Sequence, residues 1–290
     1  MRRLLPALVA LLVLTAGCSG LLPGGSDGPP TNGTATGTGT PTDGSELRAD
    51  TLAAMDAVET YRVEANVSTR YSGTLDQTVS GTSEGRFDRT ARVAYLNQTQ
   101  SALGQSYVVE TYYVNDTVYQ RSESYVLQYD SEWIRLPAAE NASEQWSRFD
   151  TLTRQRALLN ASNVTLDGTR TVNGTEVYVL RAQVDRSRLD ELGFTAGPIE
   201  QGGLNVTSLN ATFYVSTETN RPVRSVTNLT GRTTVQAGDN RRTVRIQQRI
   251  DLDFGGYGTP VTVTLPEEAA TAVPLGTGAS NASGNATRLA

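Results

Sequence analysis

The residues able to do chemistry in this chain are a single cysteine, Cys18, and a surplus of carboxylates. The chain has 25 basic residues, all of them arginine, 30 acidic residues and no histidine. Without histidine and lysine, a Ser-His-Asp triad, a Cys-His pair, a histidine metal site and a lysine Schiff base are excluded. Carboxylate chemistry of the glycosidase kind or a Ca²⁺ site remains, with Asp185, Asp251 and Asp253 as candidates. We interpret these carboxylates as partners of the arginines, so the sequence predicts no enzyme activity, no metal site and no cofactor.

Cys18 follows an apolar run near the start of the chain. The run Leu4–Leu14 is too short to span a bilayer but has the length of a signal-peptide core. Small residues then lead into the cysteine, and Ala16-Gly17-Cys18 resembles the lipobox of bacterial and archaeal lipoproteins, with Thr15 where leucine is usual. The resemblance implies a signal peptide over residues 1–17, a lipid on Cys18 and an anchor on the extracellular face of the cell membrane. A secretory signal followed by an incidental cysteine is the alternative.

The charge balance argues against two classes of partner. Removing residues 1–17 takes away Arg2 and Arg3, which leaves 23 arginines against 30 acidic residues and a net charge of −7. Nucleic acids and anionic lipid surfaces both require clustered cations, so neither is expected as a partner. The exclusion of lysine together with an acidic surplus resembles haloarchaeal proteins.

Composition divides the rest of the chain into three parts. Residues 18–45 are rich in Gly, Thr, Pro and Ser and bury too little apolar surface to fold, which predicts a flexible tether. Residues 276–290 have a similar composition and are predicted to form a disordered tail. A single domain is expected over residues 46–275, and a capping pair, Asp43 and Glu46, predicts a helix at its start.

Beyond Tyr61 the hydrophobic period changes from helical to two, which predicts strands. The predicted strands are Tyr61–Arg70, Thr78–Asp88, Arg92–Thr99, Tyr107–Asn115, Thr117–Glu123, Glu132–Leu136, Asn163–Arg170, Glu176–Val184, Ser208–Thr217, Arg221–Thr230, Arg242–Phe254 and Val261–Leu265. A second helix is predicted over Ser143–Leu159, with Trp146 and Phe149 on its apolar side. Ser187 and Asp190 predict a short helix that stops at Gly193. Short turns between neighbouring strands indicate an antiparallel sheet with helices on one side, an α+β fold.

Glycosylation sequons indicate which face of the sheet is outside. The pattern Asn-x-Ser/Thr occurs at 13 of 15 asparagines. The predicted glycosylation sites in the folded part are Asn66, Asn97, Asn115, Asn141, Asn160, Asn163, Asn173, Asn205, Asn210 and Asn228. A glycan must point to solvent, so strand alternation assigns the apolar residues between these positions to the opposite face. On Arg242–Phe254 the same alternation turns Val244 and Ile246 inwards and Arg245 outwards. We expect one sheet face to be wet and glycosylated and the other to be apolar and covered.

Several short motifs resemble the LolA-like superfamily, in particular its LppX/LprG-type lipoproteins. They are the helix leading into Tyr61-Arg62-Val63, the tryptophan strand at Tyr129–Leu136, the hairpin at Thr171–Tyr178, the strand–turn–strand at Tyr214–Arg224 and the closing Asp253–Val261. The resemblance implies a large curved antiparallel sheet, a half-barrel, with helices packed on its concave face and an apolar cavity for acyl chains. The residues that would line this cavity are Val63, Val67, Phe213, Val215, Val244, Ile246, Ile250 and Leu252. The same residues fit a filled core equally well.

Three hypotheses for function follow. The first is a membrane-anchored extracellular lipoprotein that binds a lipid or another apolar ligand between sheet and helices. The alternative is a structural or interaction glycoprotein of the cell envelope, with a filled core and no ligand. A carboxylate-based surface hydrolase is the third. A tyrosine-rich cluster, expected to be exposed, would suit a sugar- or lipid-contacting surface, although cross-strand pairing also explains it; its members are Tyr107, Tyr112, Tyr113, Tyr119, Tyr125 and Tyr129.

Overall fold

The computed structural model describes residues 43–73, 76–102, 104–136, 141–192, 204–237 and 240–275. The predicted signal peptide, Cys18, most of the tether, the predicted tail and Gly193 lie outside the described residues. Of the sequon asparagines, Asn32, Asn281 and Asn285 also lie outside them.

Four α-helices occur in the described part of the chain: α1 (Gly44–Asp56), α2 (Val126–Tyr129), α3 (Ala142–Phe149) and α4 (Thr151–Asn160). Helix α1 starts as the capping signal predicts, because Asp43 Oδ1 accepts hydrogen bonds from the backbone N–H groups of Ser45 (2.7 Å) and Glu46 (2.9 Å). The single helix predicted over residues 143–159 is wrong, since it is broken at Asp150, whose ψ of 110° is extended.

The short helix predicted from Ser187 is two 3₁₀ turns, Arg186–Arg188 and Asp190–Leu192. Its cap is Asp185 rather than Ser187, because the Asp185 carboxylate accepts from the Ser187 backbone N–H at 2.9 Å. An aspartate one residue before the turn satisfies the first free N–H groups, which a serine inside the turn cannot do.

Twelve strands in the described residues form one sheet. Their bounds are β1 Thr60–Ser72, β2 Gln77–Asp88, β3 Val93–Ala102, β4 Gln105–Val114, β5 Thr117–Arg121, β6 Trp133–Arg135, β7 Ser162–Val172, β8 Thr175–Val184, β9 Asn205–Ser216, β10 Pro222–Ala237, β11 Asn240–Gly255 and β12 Val273–Pro274. The order across the sheet is β12-β6-β5-β4-β3-β2-β1-β11-β10-β9-β8-β7. All pairs are antiparallel except β6 with β12, which is parallel. The prediction of a large antiparallel sheet is confirmed.

The helices cover one face of this sheet because of its strand order. Strands β6 and β7 follow each other in the chain but lie near opposite edges, so the connection that contains α3 and α4 crosses the sheet. Phe87 of β2 stacks on Tyr61 of β1 (ring centroids 4.7 Å apart) and meets Trp146 of α3 edge-on (6.5 Å). We call the face that carries these rings the covered face and the opposite one the outer face.

Strand alternation assigns the two faces as the sequence predicts. On β11, Val244, Ile246, Leu252 and Phe254 are buried, whereas Arg245, Gln247 and Arg249 are exposed. On β9, Ala211, Phe213 and Val215 are buried while Asn210 is exposed. The covered face is therefore the apolar one along the long strands.

The predicted strand Val261–Leu265 is wrong, and the expectation of a wholly wet outer face fails with it. Residues 261–265 pair with no strand and instead belong to a C-terminal strap, residues 261–275, which ends in β12 beside β6. The strap packs on the outer face against aromatic residues of β3, β4, β5 and β6; the contacting set is Tyr95, Tyr112, Tyr119 and Trp133, met by Val263, Leu265, Ala269 and Ala272. It shields apolar aromatic surface from water.

The tyrosine cluster is consequently not exposed. Tyr112 is buried beneath the strap, and its neighbour Tyr113 points the other way and is buried against Trp146 and Phe149. The other four members, Tyr107, Tyr119, Tyr125 and Tyr129, are half-buried. Tyr112 and Tyr113 are neighbours on β4 and point to opposite faces, and each is covered on its own side.

Replacing Gly85 with alanine tests how tightly the covered face is packed. An added Cβ would lie 2.8 Å from Phe87 Cε2 and 3.2 Å from Val63 Cγ1. Phe87 is held between Tyr61 and the helices, so Gly85→Ala should lower the free energy of unfolding by about 1–3 kcal/mol. Urea unfolding followed by tryptophan fluorescence measures it. The matched control is Gly255→Ala, whose Cβ meets nothing within 4 Å; a Gly85 variant as stable as this control would contradict the packing.

Candidate functional site

The eight residues predicted to line a ligand cavity all lie on the covered face, but they differ in burial. Six are buried, namely Val63, Phe213, Val215, Val244, Ile246 and Leu252. Val67 and Ile250 are only half-buried. These two are direct cross-strand partners on β1 and β11, so they form one patch. The patch marks the place where the cover of this face is incomplete, and a cavity here stays a prediction.

The patch lies between two apolar clusters. Towards one end of the strands, residues of β1, β2 and β11 pack with α1, α3 and α4 in a helix cluster that includes Tyr61, Phe87 and Phe254. Towards the other end lies a distal cluster of Tyr71, Val79, Val244 and Ile246, with Ala102 and Leu204 packed against it. Along β1, Val67 and Thr69 lie between the two clusters, as does Gln248 along β11, while Ile250 packs against the edge of the helix cluster.

Polar side chains share this middle region. Gln248 Nε2 donates to Thr69 Oγ1 at 3.0 Å. Thr227 of β10, the cross-strand partner of Ile250, is 6% exposed, and its hydroxyl has no hydrogen-bond partner in the described part of the chain. A buried hydroxyl left without a partner costs about 1–3 kcal/mol. We call Val67, Thr69, Thr227, Gln248 and Ile250 the midface.

A buried carboxylate joins the helices to the sheet beside the helix cluster. Asp150 is fully buried, and its Oδ1 accepts from the Tyr61 hydroxyl at 2.5 Å. Its Oδ2 accepts from Arg89 Nε at 3.0 Å and from the Thr153 hydroxyl at 2.5 Å. The Tyr61 oxygen in turn accepts from the backbone N–H of Leu152 at 3.0 Å. Arg89 also donates to the carbonyl oxygens that end α1, at Met55 (2.8 Å) and Val58 (2.7 Å).

This network is suited to anchoring rather than to acid–base chemistry. Both Asp150 oxygens accept hydrogen bonds. Burial, and to a smaller extent the nearby charge of Asp150, raise the pKa of Tyr61 well above its usual value. Tyr61 therefore stays protonated and keeps donating to the carboxylate. The carboxylate is thus held by donors from the sheet and from the helices, as an anchoring group would be.

The carboxylates considered for catalysis lie in ion pairs and caps. Asp251 accepts from Arg249 Nε (2.7 Å) and from Arg224 (2.9 Å), and Asp253 lies 3.9 Å from Arg224. Asp185 caps a 3₁₀ turn. Among the described residues, no three His, Cys, Asp or Glu side chains come together as a metal site would need.

All ten predicted glycosylation sites in the folded part are exposed. Asn66 also lines a shallow hollow of about 440 Å³ on the outer face, together with small hydroxyl side chains such as Ser80 and Thr82. Asn141 uses its side-chain oxygen to cap α3, which leaves its nitrogen free to carry a sugar. The geometry permits glycosylation at each site, and glycosylation itself stays a prediction.

Sequence reasoning missed Asp150 and the polar part of the midface. Thr227 lies two residues before Leu229 and shares its inward direction, so alternation from Asn228 was a sufficient signal. Asp150 lies between Phe149 and Leu152 on an otherwise apolar helix side, and a carboxylate in that position indicates a buried partner. Arg89 follows the end of β2 and carries no comparable signal in the sequence.

A family model described as a family of unknown function, DUF7537, matches residues 3–247. The chain belongs to this family. No curated protein matches the chain in sequence. In the described part of the chain, none of the helices has the length and apolar character needed to cross a membrane.

Solved structures similar to this chain include two mycobacterial proteins. LprF from Mycobacterium bovis is 13% identical, with 76% of this chain and 95% of that chain covered and a TM-score of 0.46. The lipoprotein LppX from Mycobacterium tuberculosis is 16% identical, with coverage of 76% and 99% and a TM-score of 0.43. A LolA superfamily protein from Nitrosomonas europaea is 11% identical, with coverage of 79% and 97% and a TM-score of 0.26.

The tyrosines should set the alkaline limit of stability. The chain contains no lysine, so tyrosines are the side chains that ionise between about pH 9 and 12. Burial, together with hydrogen bonds to carboxylates, raises the pKa of Tyr95 and Tyr113 to about 12, and Tyr61 is raised well above its usual value. The pKa of these tyrosines is higher in the folded state than in the unfolded state, where it is about 10. Their contribution to stability is therefore complete below about pH 10 and is lost as the pH rises above it.

We therefore expect the urea midpoint to stay level up to about pH 9.5 and to fall steeply above about pH 10. The fall should coincide with the rise in tyrosinate absorbance, measured in the same samples. In Tyr61→Phe the urea midpoint should fall less steeply with pH above about pH 10. A urea midpoint that does not change up to pH 11.5 would show that the buried tyrosines are not coupled to folding.

Proposed function

We propose that this protein is a membrane-anchored lipoprotein of the extracellular face that binds a lipid or another apolar ligand between sheet and helices. The observation that carries the proposal is the midface. An apolar pair, Val67 and Ile250, is left half-buried where the helix cluster ends and before the distal cluster begins. An acyl chain laid across this pair would complete the cover and gain about 25 cal/mol for each Å² of apolar surface removed from water.

The unsatisfied hydroxyl of Thr227 supports the same location. It is buried beside Ile250 and has no partner in the described part of the chain. A polar atom of a ligand, such as an ester or carboxyl oxygen, would satisfy it while the apolar part covers Val67. Sites for small apolar ligands typically combine an apolar lining with a few polar groups of this kind.

Chain length supports a curved, half-barrel sheet around such a ligand. In a flat sheet, β6 and β7 would be separated by ten inter-strand gaps, or about 48 Å. The 8 residues of α3 and the 10 residues of α4 reach about 27 Å. The other eight residues of the connection, which covers residues 136–161, add at most about 27 Å when fully extended. The connection would span a flat sheet only if it ran nearly straight and fully extended, so we propose that the sheet curves towards the helices, as in LolA-like proteins.

The lipid anchor and the glycans complete the proposal. Cys18 stands in the lipobox-like segment, and α1 begins at Gly44, so about 25 residues of Gly- and Thr-rich chain separate anchor and fold. Exposed sequons on the outer face would keep that side in solvent. We place the covered face, and not the outer face, in contact with the ligand.

A second candidate function is a structural or interaction glycoprotein of the envelope. The helix cluster is densely filled, since Tyr61, Phe87 and Phe213 are fully buried, and the two hollows of about 440 Å³ and 320 Å³ lie on the outer face. A filled interior with ten exposed sequons suits a protein that acts through contacts of its glycosylated surface with other molecules. The two functions differ in whether the midface ever holds a ligand.

Substitution of Val67 by phenylalanine should separate them. Because Val67 is only half-buried, the larger ring should fit without unfolding the protein but should occupy the ligand's place. Binding of a pyrene-labelled fatty acid, followed by fluorescence, should weaken at least about tenfold, a change of about 1.4 kcal/mol. The matched control is Ser68→Phe, the next residue on the outer face, which should bind as the unmodified protein does.

Native mass spectrometry of protein extracted from its own membrane provides the second measurement. Co-purifying lipid that is absent from Val67→Phe supports ligand binding. A ligand-free mass, together with no binding of the labelled fatty acid, would instead favour the envelope glycoprotein.

Cys18→Ser tests the anchor separately from the ligand. Serine cannot form the thioether to a lipid, so the intact mass should lose the lipid adduct and the protein should move from the membrane to the medium. Ser19→Ala, the adjacent substitution, should leave both unchanged. A Cys18 variant that stays with the membrane at an unaltered mass would rule out lipidation at this residue.

A further inference from the structure

Three arginines gather on the outer face at the far end of the long strands. Arg232 of β10 and Arg245 of β11 are direct cross-strand partners, and Arg245 is also paired with Ser72 of β1. Arg70 lies two residues before Ser72 on the same face, diagonal to Arg245. All three arginines are exposed. Direct cross-strand partners have Cα atoms about 4.5–5.5 Å apart, so Arg232 and Arg245 place two positive charges side by side.

These charges are not compensated within the described part of the chain. Nine other arginines form ion pairs there, namely Arg89, Arg121, Arg148, Arg156, Arg170, Arg181, Arg188, Arg224 and Arg249. No such pair involves Arg70, Arg232 or Arg245 among the described residues. Other described arginines also form no ion pair, but Arg70, Arg232 and Arg245 lie next to one another on one face, so their positive charges add. Like charges directly opposite each other on adjacent strands are destabilising unless something neutralises them.

The pair borders a hollow with further hydrogen-bond donors. The hollow of about 320 Å³ is lined by Ser72, Gly73, Thr243, Arg232 and Arg245. Serine and threonine hydroxyls donate hydrogen bonds, and guanidinium groups donate in a fork that matches two oxygens of one anion. Gly73 has a φ of +118°, and a Cβ there would come within 3.2 Å of the Thr243 carbonyl oxygen, so its missing side chain keeps this side open.

We infer that this hollow binds a phosphate- or sulfate-type oxyanion between Arg232 and Arg245, with Ser72 and Thr243 as additional donors. A bound oxyanion removes the repulsion between the two guanidinium groups and fills their donor directions. The site lies on the outer face, so it is independent of an apolar ligand at the midface. The oxyanion comes either free from solution or as the phosphate of a lipid headgroup, and the chemistry of recognition is the same.

The first experiment measures inorganic phosphate binding by calorimetry and by the thermal unfolding midpoint, at low ionic strength. The unmodified protein should bind one phosphate, and its midpoint should rise with phosphate concentration, since a ligand of the folded state stabilises it. Sodium chloride at matched ionic strength controls for screening and should give a smaller rise. In the double variant R232Q/R245Q the rise with phosphate should be lost.

Two further variants make the result specific. R232K/R245K keeps the charge but loses the bidentate fork, so it should bind phosphate several-fold more weakly than the arginine pair. Arg181→Gln removes an exposed arginine of the same face that is already paired with Asp167, and it should leave phosphate binding unchanged. Because R232Q/R245Q relieves repulsion, it should be at least as stable as the unmodified protein without phosphate, so loss of binding cannot be attributed to unfolding.

Vesicles distinguish the two sources of the oxyanion. Co-sedimentation with phosphatidylcholine vesicles that contain phosphatidylglycerol, but not with phosphatidylcholine alone, would assign the site to an anionic headgroup, provided that R232Q/R245Q abolishes it. Binding of phosphate without co-sedimentation would assign it to a free oxyanion. If R232Q/R245Q responds to phosphate as the unmodified protein does, or if neither phosphate nor vesicles bind, the inference is wrong.

Discussion

The arrangement of helices on the sheet depends on the buried carboxylate of Asp150. A buried charge is expensive unless donors surround it, and here Tyr61, Arg89 and Thr153 supply them from β1, the end of β2 and α4. Removing one partner of such a buried pair typically costs about 3–5 kcal/mol, which is a large part of the stability of a domain. The same residue breaks the helix that would otherwise run straight, and Arg89 ties the end of α1 to it. The helices are thereby fixed over one end of the strands, which leaves the middle of the face to other residues.

Because of the antiparallel register, residues of like charge lie opposite one another in rows across the outer face. Asp253, Glu64 and Glu84 stand opposite one another on β11, β1 and β2, and Arg232 and Arg245 do the same nearer the other end of β11. Each row costs a little stability by repulsion, and salt reduces that cost because the charges are exposed. Arg62 and Arg86 form a further positive row beyond the acidic one, so rows of opposite charge alternate along the strands. A face of this kind offers an anion a local positive row without requiring a basic protein.

Much of the sheet follows from alternation, and its failures have physical reasons. On Arg242–Phe254 the inward and outward sets are as predicted, because a long strand with one covered face must alternate. Val261–Leu265 alternates equally well, and its residues do alternate between half-buried and exposed, yet they form no strand. A strap that lies on a sheet is exposed to solvent on one side and buried on the other, so alternation cannot distinguish it from a strand. The position of Asp150 depends on Arg89, a contact between residues 61 positions apart that no local pattern contains.

The different lengths of strands and helices explain where function is expected. Strands β10 and β11 each have 16 residues and extend over about 54 Å, whereas α4, with 10 residues, covers about 15 Å of its own axis. The long strands therefore project well beyond the helix cluster. The midface lies where the helix cluster ends on the covered face, and the arginine pair lies on the outer face of the projecting part. Along the described helix cluster, dense packing with a buried ion pair favours rigidity, while the projecting part combines incomplete cover, an unsatisfied hydroxyl and uncompensated charge. Those are properties that a ligand can change, so binding is expected in the part of the sheet that the helices do not reach.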